Sequence, residues 1–334
     1  MSVEERIAAF YKTGNSVVTL NEEKFQSLAL KARNENPWFT EDSIRMAVSG
    51  LQRILSHNAL NTWTSGYNLN VPARKIAVVM AGNIPFVGFH DLLCVLICGH
   101  SICIKSSSKD STLIHFIVDT LTEIEPRFKN RIEFSDQLKN FDSIIATGSD
   151  NTSRYFEYYF GKYPHIIRKN RTSVAILNGH ETESELIDLG IDVFSYFGLG
   201  CRNVSKLYIP QEYPVENVLR NWESFKEIIH HHKYCNNYDY QKSVLLVTGA
   251  QFLDNGFVML QETEKLVSPI AVLYYQRYKS TDDLTEILEA NKQKIQCVVD
   301  NSDKSKIKFG QAQYPLPGDY ADQIDTLKFL TGLN

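Results

Sequence analysis

The chain has 334 residues, 43% of them hydrophobic and 22% charged, with a formal net charge of −4. That length buries a substantial core in one large or two medium domains. The mild acidity, without a basic block or an acidic tail, excludes nucleic-acid binding driven by composition. Residues 1–30 contain no uninterrupted apolar run of the signal-peptide kind, and the longest apolar stretches, such as residues 92–99, are too short to span a bilayer. No membrane insertion is expected. Six cysteines, at 94, 98, 103, 201, 235 and 297, are irregularly spaced with no C-x-x-C pair. Neither a disulfide framework nor a zinc ribbon is indicated, and a reduced, cytoplasmic protein without metal is expected.

Residues 3–70 read as capped helices. Thr19-Leu20-Asn21-Glu22 precedes apolar positions Phe25 and Leu28, and Thr40-Glu41-Asp42-Ser43 precedes Ile44, Ala47, Leu51 and Leu55. The pattern changes at Pro72. Lys75–Met80 reads as a buried strand that breaks at Ala81-Gly82-Asn83-Ile84-Pro85. A helical stretch, Phe89–Ile97, then leads to a second strand, Ser101–Lys105, and the polar turn Ser106-Ser107-Ser108-Lys109. Such a βαβ unit collects ligands beyond the carboxyl ends of its strands, where both turns lie. Ser111–Ile124 reads as a helix, Arg131–Phe134 and Ser143–Ala146 as strands. Thr147-Gly148-Ser149-Asp150 heads a helix over Asn151–Phe160 whose free N–H groups suit phosphate oxygens.

Further along, Ser173–Leu177 is expected to be a strand and Glu183–Phe194 a helix leading to Gly198-Leu199-Gly200-Cys201. Two glycines let the backbone bend beside a single cysteine, and a thiol on such a turn can meet a bound electrophile. Beyond Pro210 the pattern gives a helix over Val215–His230, strands over Ser243–Val247 and Ile270–Tyr275, a helix over Thr281–Ala290 and a strand over Ile295–Val299. The alternation argues for an α/β architecture.

Four motifs in this order, Gly82-Asn83-Ile84-Pro85, Ile104-Lys105-Ser106-Ser107, Thr147-Gly148-Ser149 and Gly200-Cys201, resemble the aldehyde dehydrogenase superfamily, and most of all its LuxC-like acyl-CoA reductases. The resemblance runs from about residue 70 to 275 and includes the tail Tyr320–Leu330. It implies a helical N-terminal segment over residues 1–70 packed on the core. It also implies a Rossmann-like NADP(H)-binding domain over 71–172, a catalytic domain over 173–310 carrying Cys201, and a tail over 311–334, with the active site in the cleft between the two domains. By the same resemblance Cys201 is the nucleophile and the Asn83 carboxamide, with the Cys201 N–H, stabilises the oxyanion of an attacked thioester. Hydride from a reduced nicotinamide then releases an aldehyde. Gly148 and Ser149 fall at the cofactor phosphates.

Departures from the family pattern carry information. Aldehyde-oxidising members place a glutamate base some thirty residues before the cysteine, whereas residues 163–173 here contain no carboxylate. Such a chain suits acyl transfer between thiols and reduction rather than hydrolysis. NAD-preferring relatives carry a glutamate three residues after the strand-end lysine. Here Ser108 stands there, between Lys105 and Lys109, a set that accepts a 2′-phosphate and favours NADPH. Glu264 is the nearest counterpart of the family's ribose-holding glutamate, in Glu264-Lys265-Leu266-Val267-Ser268-Pro269, with spacing one residue longer.

Among the remaining polar residues, His230–His232 offer a proton donor or a contact for a CoA phosphate, with His232 taken as the representative since at most one of the three faces a given site. Arg168, with Lys169 and Arg171, is a second candidate for phosphate, its alternative being a solvated basic turn. Cys94, Cys98 and Cys103 lie in apolar runs and are expected in the core. The expected substrate is an acyl-CoA, the cofactor NADPH, and the assembly a homodimer or a complex with an aldehyde- or acyl-transferring enzyme. Reduction of acyl phosphate or acyl-carrier substrates and a non-catalytic NADP(H)-binding protein are the alternatives.

Overall fold

A computed structural model describes residues 1–303 and 305–333, and of Asp150 the backbone alone. The chain forms two compact units, one of residues 1–170 and 314–334, the other of residues 171–313.

The first unit opens with four helices, α1 (Val3–Val18), α2 (Glu22–Glu35), α3 (Glu41–Ile54) and α4 (His57–Thr64). Ser2, Asn21, Thr40 and Ser56 cap them, each side chain accepting a first-turn N–H that the helix itself leaves unpaired. A parallel sheet follows, with β1 (Lys75–Val79), β2 (Ser101–Lys105), β3 (Ile132–Phe134), β4 (Ser143–Thr147) and β5 (His165–Arg168). Three helices connect these strands: α5 (Phe89–Ile97), α6 (Ser111–Ile124) and α7 (Asp150–Phe160). The strand order is β3-β2-β1-β4-β5. It reverses between β1 and β4, so the turns after β1, β2 and β4 share the carboxyl edge at the switch point of the sheet. Cys94, Cys98 and Cys103 are buried there, as their apolar surroundings predict.

The second unit holds a six-stranded sheet, β6 (Thr172–Ile176), β7 (Val204–Pro210), β8 (Leu253–Asp254), β9 (Met259–Glu262), β10 (Val272–Tyr278) and β11 (Ile295–Val299). Its order is β11-β6-β7-β10-β9-β8, and β8 alone runs antiparallel to its neighbour. The helices of this unit are α8 (Glu183–Phe194), α9 (Glu216–Asn221), α10 (His232–Val247) and α11 (Thr281–Asn291). The last helix, α12 (Thr326–Thr331), belongs to the first unit.

Three expectations need correction. Ser243–Val247 is the last stretch of α10, not a strand. Tyr234, Tyr238 and Leu245 bury one face of that helix while Val247 is exposed, so packing overrides the β preference of the run. The expected helix over 215–230 is α9 followed by a 3-10 stretch over Glu223–His230. Arg168 does not belong to a solvated turn: it ends β5 and is only 3% exposed, whereas Lys169 after it is exposed. The Arg168 guanidinium donates to Asp91 Oδ1 at 2.6 Å, to the Ala321 carbonyl at 2.8 Å and to Thr326 Oγ1 at 3.1 Å. One buried cation thereby ties β5, α5 and the C-terminal segment together, a task for which the planar guanidinium is better shaped than an ammonium.

Removing this cation leaves Asp91 as an uncompensated buried charge. Arg168→Met is expected to destabilise the first unit by about 3–5 kcal/mol, with Arg168→Lys recovering little of the loss. The urea midpoints of the three proteins test this, and a change of under about 1 kcal/mol in Arg168→Met contradicts it.

Candidate active site

Cys201 lies in the second unit, on the turn between α8 and β7, and is exposed. The turn is conformationally expensive. Tyr196, Phe197 and Gly198 are all left-handed, with φ of 50°, 59° and 77°. Glycine adopts this region freely, but the two aromatic residues each cost roughly 1–2 kcal/mol. Asn203, 2% exposed, holds the turn in place. Its Nδ2 donates to the carbonyls of Ser195 at 2.7 Å and Asp192 at 3.1 Å, and its Oδ1 accepts the Gly200 N–H at 2.8 Å.

Two further buried groups brace the same turn from behind. Ser173 Oγ, on β6, donates to the Cys201 carbonyl at 3.0 Å. It lies 2.9 Å from Cys297 Sγ, so with its own proton given to Cys201 it accepts from that thiol. Asp192, fully buried on α8, accepts the N–H groups of Gly310 at 2.7 Å and Ala312 at 2.9 Å. Burial pushes its carboxyl up to about 7, against the pull of those two N–H groups. Arg202 Nε donates to the Ala312 carbonyl and completes the brace. A pocket of about 70 Å³ also borders the turn, lined by Phe194, Phe197, Tyr234, Val258 and the segment 268–272.

In the first unit, three turns carry the other expected residues. Asn83 is exposed at the carboxyl end of β1, beside a buried Gly82 whose carbonyl accepts from Asn36 Nδ2 at 3.0 Å. A Cβ on Gly82 would stand 2.5 Å from Ser107 Oγ and 2.8 Å from Ser107 Cβ. Only glycine lets the turns after β1 and β2 approach so closely. Lys105, Ser108 and Lys109 are all exposed on the second of them. Asp110 closes that turn, 1% exposed, its carboxyl facing the Phe86 and Val87 backbone. Burial raises its pKa well above the ordinary value, against the pull of those backbone N–H groups. Gly148 and Ser149 follow β4. The Ser149 hydroxyl accepts the Thr152 N–H at 3.3 Å and caps α7.

These turns place two ammonium groups, hydroxyls and a helix N-terminus on one sheet edge, a donor set suited to phosphate and ribose oxygens. Glu264 is exposed in the second unit, on the segment joining β9 to β10. Two assignments change. His232 is exposed at the start of α10, whereas His231 lies against Phe197 of the Cys201 turn with ring centroids 4.4 Å apart. Arg168 is committed to the interior of the first unit and offers no exposed cation to a substrate phosphate. Among the described residues no group of three His, Cys, Asp or Glu side chains is placed to hold a metal ion. Nor is any described helix long and apolar enough to cross a membrane.

Sequence reasoning missed Asn203, Asp192, Ser173 and Lys206. Their signal was faint: a polar residue inside an otherwise apolar element, as with Asp192 between Ile191 and Val193 or Lys206 within β7. Tyrosines near the start of α10 anchor it. Tyr234 donates to the Phe257 carbonyl at 3.1 Å, and Tyr238 to Asp254 at 2.7 Å.

Residues 40–196 match the family model of the acyl-CoA reductase LuxC, a match that ends before Cys201. Comparison with curated proteins finds no match. Several solved structures share the fold. Aldehyde dehydrogenase 21 from Physcomitrella patens, in complex with the reaction product succinate, is 12% identical with a TM-score of 0.63, covering 90% of this chain and 74% of that one. NADP-dependent glyceraldehyde-3-phosphate dehydrogenase from Bacillus halodurans, complexed with NADP, is 13% identical with a TM-score of 0.62, covering 86% and 71%. The NAD+ complex of an aldehyde dehydrogenase from Bacillus cereus is 14% identical with a TM-score of 0.62, covering 89% and 76%. Over residues 40–196 the chain is similar in sequence to the acyl-CoA reductase LuxC, and across most of its length it has the aldehyde dehydrogenase fold.

Proposed function

We propose that this protein reduces an acyl-CoA thioester to the corresponding aldehyde with NADPH, through an acyl thioester on Cys201. The observation that carries the reading is the exposed Cys201 on a strained turn, held in place by Asn203 and Ser173. A nucleophile needs a fixed attack direction, and such bracing supplies it before substrate arrives.

In the first step the Cys201 thiolate attacks the thioester carbonyl, and the Cys–acyl bond forms as CoA departs as its thiolate. Asn83 donates its carboxamide N–H to the oxyanion that develops on the way. Reduced nicotinamide, when bound, supplies the hydride that converts the acyl group to aldehyde. The Cys201 sulfur leaves as thiolate and the bound thioester is spent. The chain's own contribution to the second step is to hold the acyl group and deny it to water. Residues 163–173, where aldehyde-oxidising relatives place their base, provide no carboxylate to activate water.

The choice of NADPH rests on the turn after β2. Solved relatives include an NADP complex and an NAD+ complex, so the fold accepts either nucleotide. Lys105 and Lys109 flank a neutral Ser108, which supports a 2′-phosphate in this chain. Gly148 and Ser149 complete the phosphate-facing edge, and Glu264 is assigned to the nicotinamide ribose.

Three outcomes are expected. Acyl-CoA supplied without NADPH leaves a hydroxylamine-labile acyl mass on the wild-type protein and none on Cys201→Ser; intact mass spectrometry reads it, and a wild-type protein that stays unmodified overturns the mechanism. Asn83→Ala keeps its affinity for NADPH while turnover falls at least about tenfold, and unchanged turnover removes Asn83 from the oxyanion. Ser108→Glu weakens NADPH relative to NADH in a fluorescence titration; an unaltered ratio places the phosphate elsewhere.

A further inference from the structure

β7 starts immediately beyond the Cys201 turn, and its first residues are irregular. Ser173 of β6 pairs with Val204 and Val174 with Lys206, which leaves Ser205 as the extra residue of a bulge. Bulges re-aim the side chains beside them, and they recur next to active sites. Here the two re-aimed side chains reach the same partner. Ser205 Oγ donates to the Leu266 carbonyl at 3.0 Å. Lys206, 0% exposed, donates from Nζ to the Thr263 carbonyl at 2.7 Å, the Lys265 carbonyl at 3.0 Å and Gln276 Oε1 at 2.7 Å.

An ammonium has three N–H bonds, and this one meets three acceptors. Two of them are the carbonyls on either side of residue 264, whose own side chain is exposed. Surroundings of Val174, Tyr208 and Leu266 would accept a methionine in place of the lysine without a buried charge. The lysine therefore does something that an apolar side chain of similar length does not: it grips the main chain on both sides of one exposed carboxylate.

We propose that Lys206 is a positioning residue for Glu264, fixing the main chain of residues 263–265 so that the Glu264 carboxylate is held ready for the ribose of the reduced nicotinamide cofactor. This rests on the assignment of Glu264 to that ribose made above. It also gives one strand two duties, since the same β7 whose entry turn displays the nucleophile sets the cofactor-binding carboxylate through its bulge.

The clamp depends on pH. Burial lowers the Lys206 pKa to about 8, partly countered by the Glu264 charge. The two tyrosines beside it stay neutral through that range. The Tyr208 ring lies 5.3 Å from Nζ, and burial pushes its hydroxyl up to about 12. Tyr274, opposite Lys206 on β10, is also raised above 10.0 by burial. Lys265 presents its carbonyl and Gln276 an amide. As pH rises past about 8 the amine keeps two N–H bonds for three acceptors, and one grip on the segment is lost.

The test is the NADPH dissociation constant, by fluorescence titration between about pH 7 and about pH 9, for the wild type, Lys206→Met, Glu264→Ala and the double variant. Wild-type affinity is expected to fall several-fold across that range. Lys206→Met and Glu264→Ala are each expected to bind about tenfold more weakly at the lower pH and to lose the pH dependence, with the double variant no weaker than either single. Affinity within about twofold of wild type in Lys206→Met, or additive losses in the double variant, overturns the proposal. Should Lys206→Met not fold, Glu264→Ala decides, because a wild-type pH dependence that persists in it is equally fatal. Acylation of Cys201 by acyl-CoA without NADPH is followed separately in Lys206→Met and is expected to be retained. A wild-type protein that is never acylated defeats the proposed reaction, while the nucleotide titration still decides the role of Lys206.

Discussion

The carboxamide of Asn203 is the constraint on which the second unit's chemistry depends. A turn with two left-handed aromatic residues in succession returns to the ordinary regions of backbone space unless its carbonyls and N–H groups are claimed from outside. Asn203 claims both kinds with one side chain, donating to Ser195 and Asp192 and accepting from Gly200. An aspartate in its place could accept but not donate, and a serine would not reach on both sides. The position of Cys201 is thus set two residues further along the chain, before any substrate is present.

The first unit solves a different problem. Its strand order reverses between β1 and β4, which brings the turns after β1, β2 and β4 to one edge. What distinguishes this edge is charge and closeness. Gly82 lets the Asn83 turn touch the Ser107 turn, and Lys105 and Lys109 stand exposed on the second of them. The sheet that carries these turns is tied to the C-terminal segment by Arg168, whose charge is answered by Asp91 at 2.6 Å. A buried cation is costly unless it is paired, and here a carboxylate, a carbonyl and a hydroxyl converge on its two terminal nitrogens.

Legibility from sequence followed the physics of each element. The β1–α5–β2 unit was readable to within a residue because apolar runs of strand length, punctuated by Gly82-Asn83 and Gly99, leave few alternatives. Ser243–Val247 was misread because a β-favouring run carries no trace of the helix begun at His232, which is set by tyrosines burying one face. The buried roles of Arg168 and Lys206 were hard to read for a shared reason. A basic residue in a sequence is indistinguishable from a solvated one, and only the fold shows that carbonyls gather around it. His231 rather than His232 meets the Cys201 turn because the 3-10 stretch before α10 shifts which ring faces inward, a phase that residue spacing alone does not set.

The absence of a carboxylate from residues 163–173 acquires a structural meaning in this light. Part of that segment is β5, whose side chains alternate between core and surface and whose last residue, Arg168, is committed to Asp91. A water-activating base there would have to stand on a strand whose polar capacity is already taken up in holding the unit together. In the proposed reaction the acyl group on Cys201 then has two exits, back to a thiol or onward by hydride, and a thioester exchanges with thiols readily while its hydrolysis at neutral pH without a base is slow. What commits the acyl group to the forward direction is the readiness of the cofactor side. That is where a clamped Glu264 matters in the proposed reaction: the thioester would wait on a braced turn, and the strand that begins at that turn also grips the main chain around the carboxylate assigned to the nucleotide.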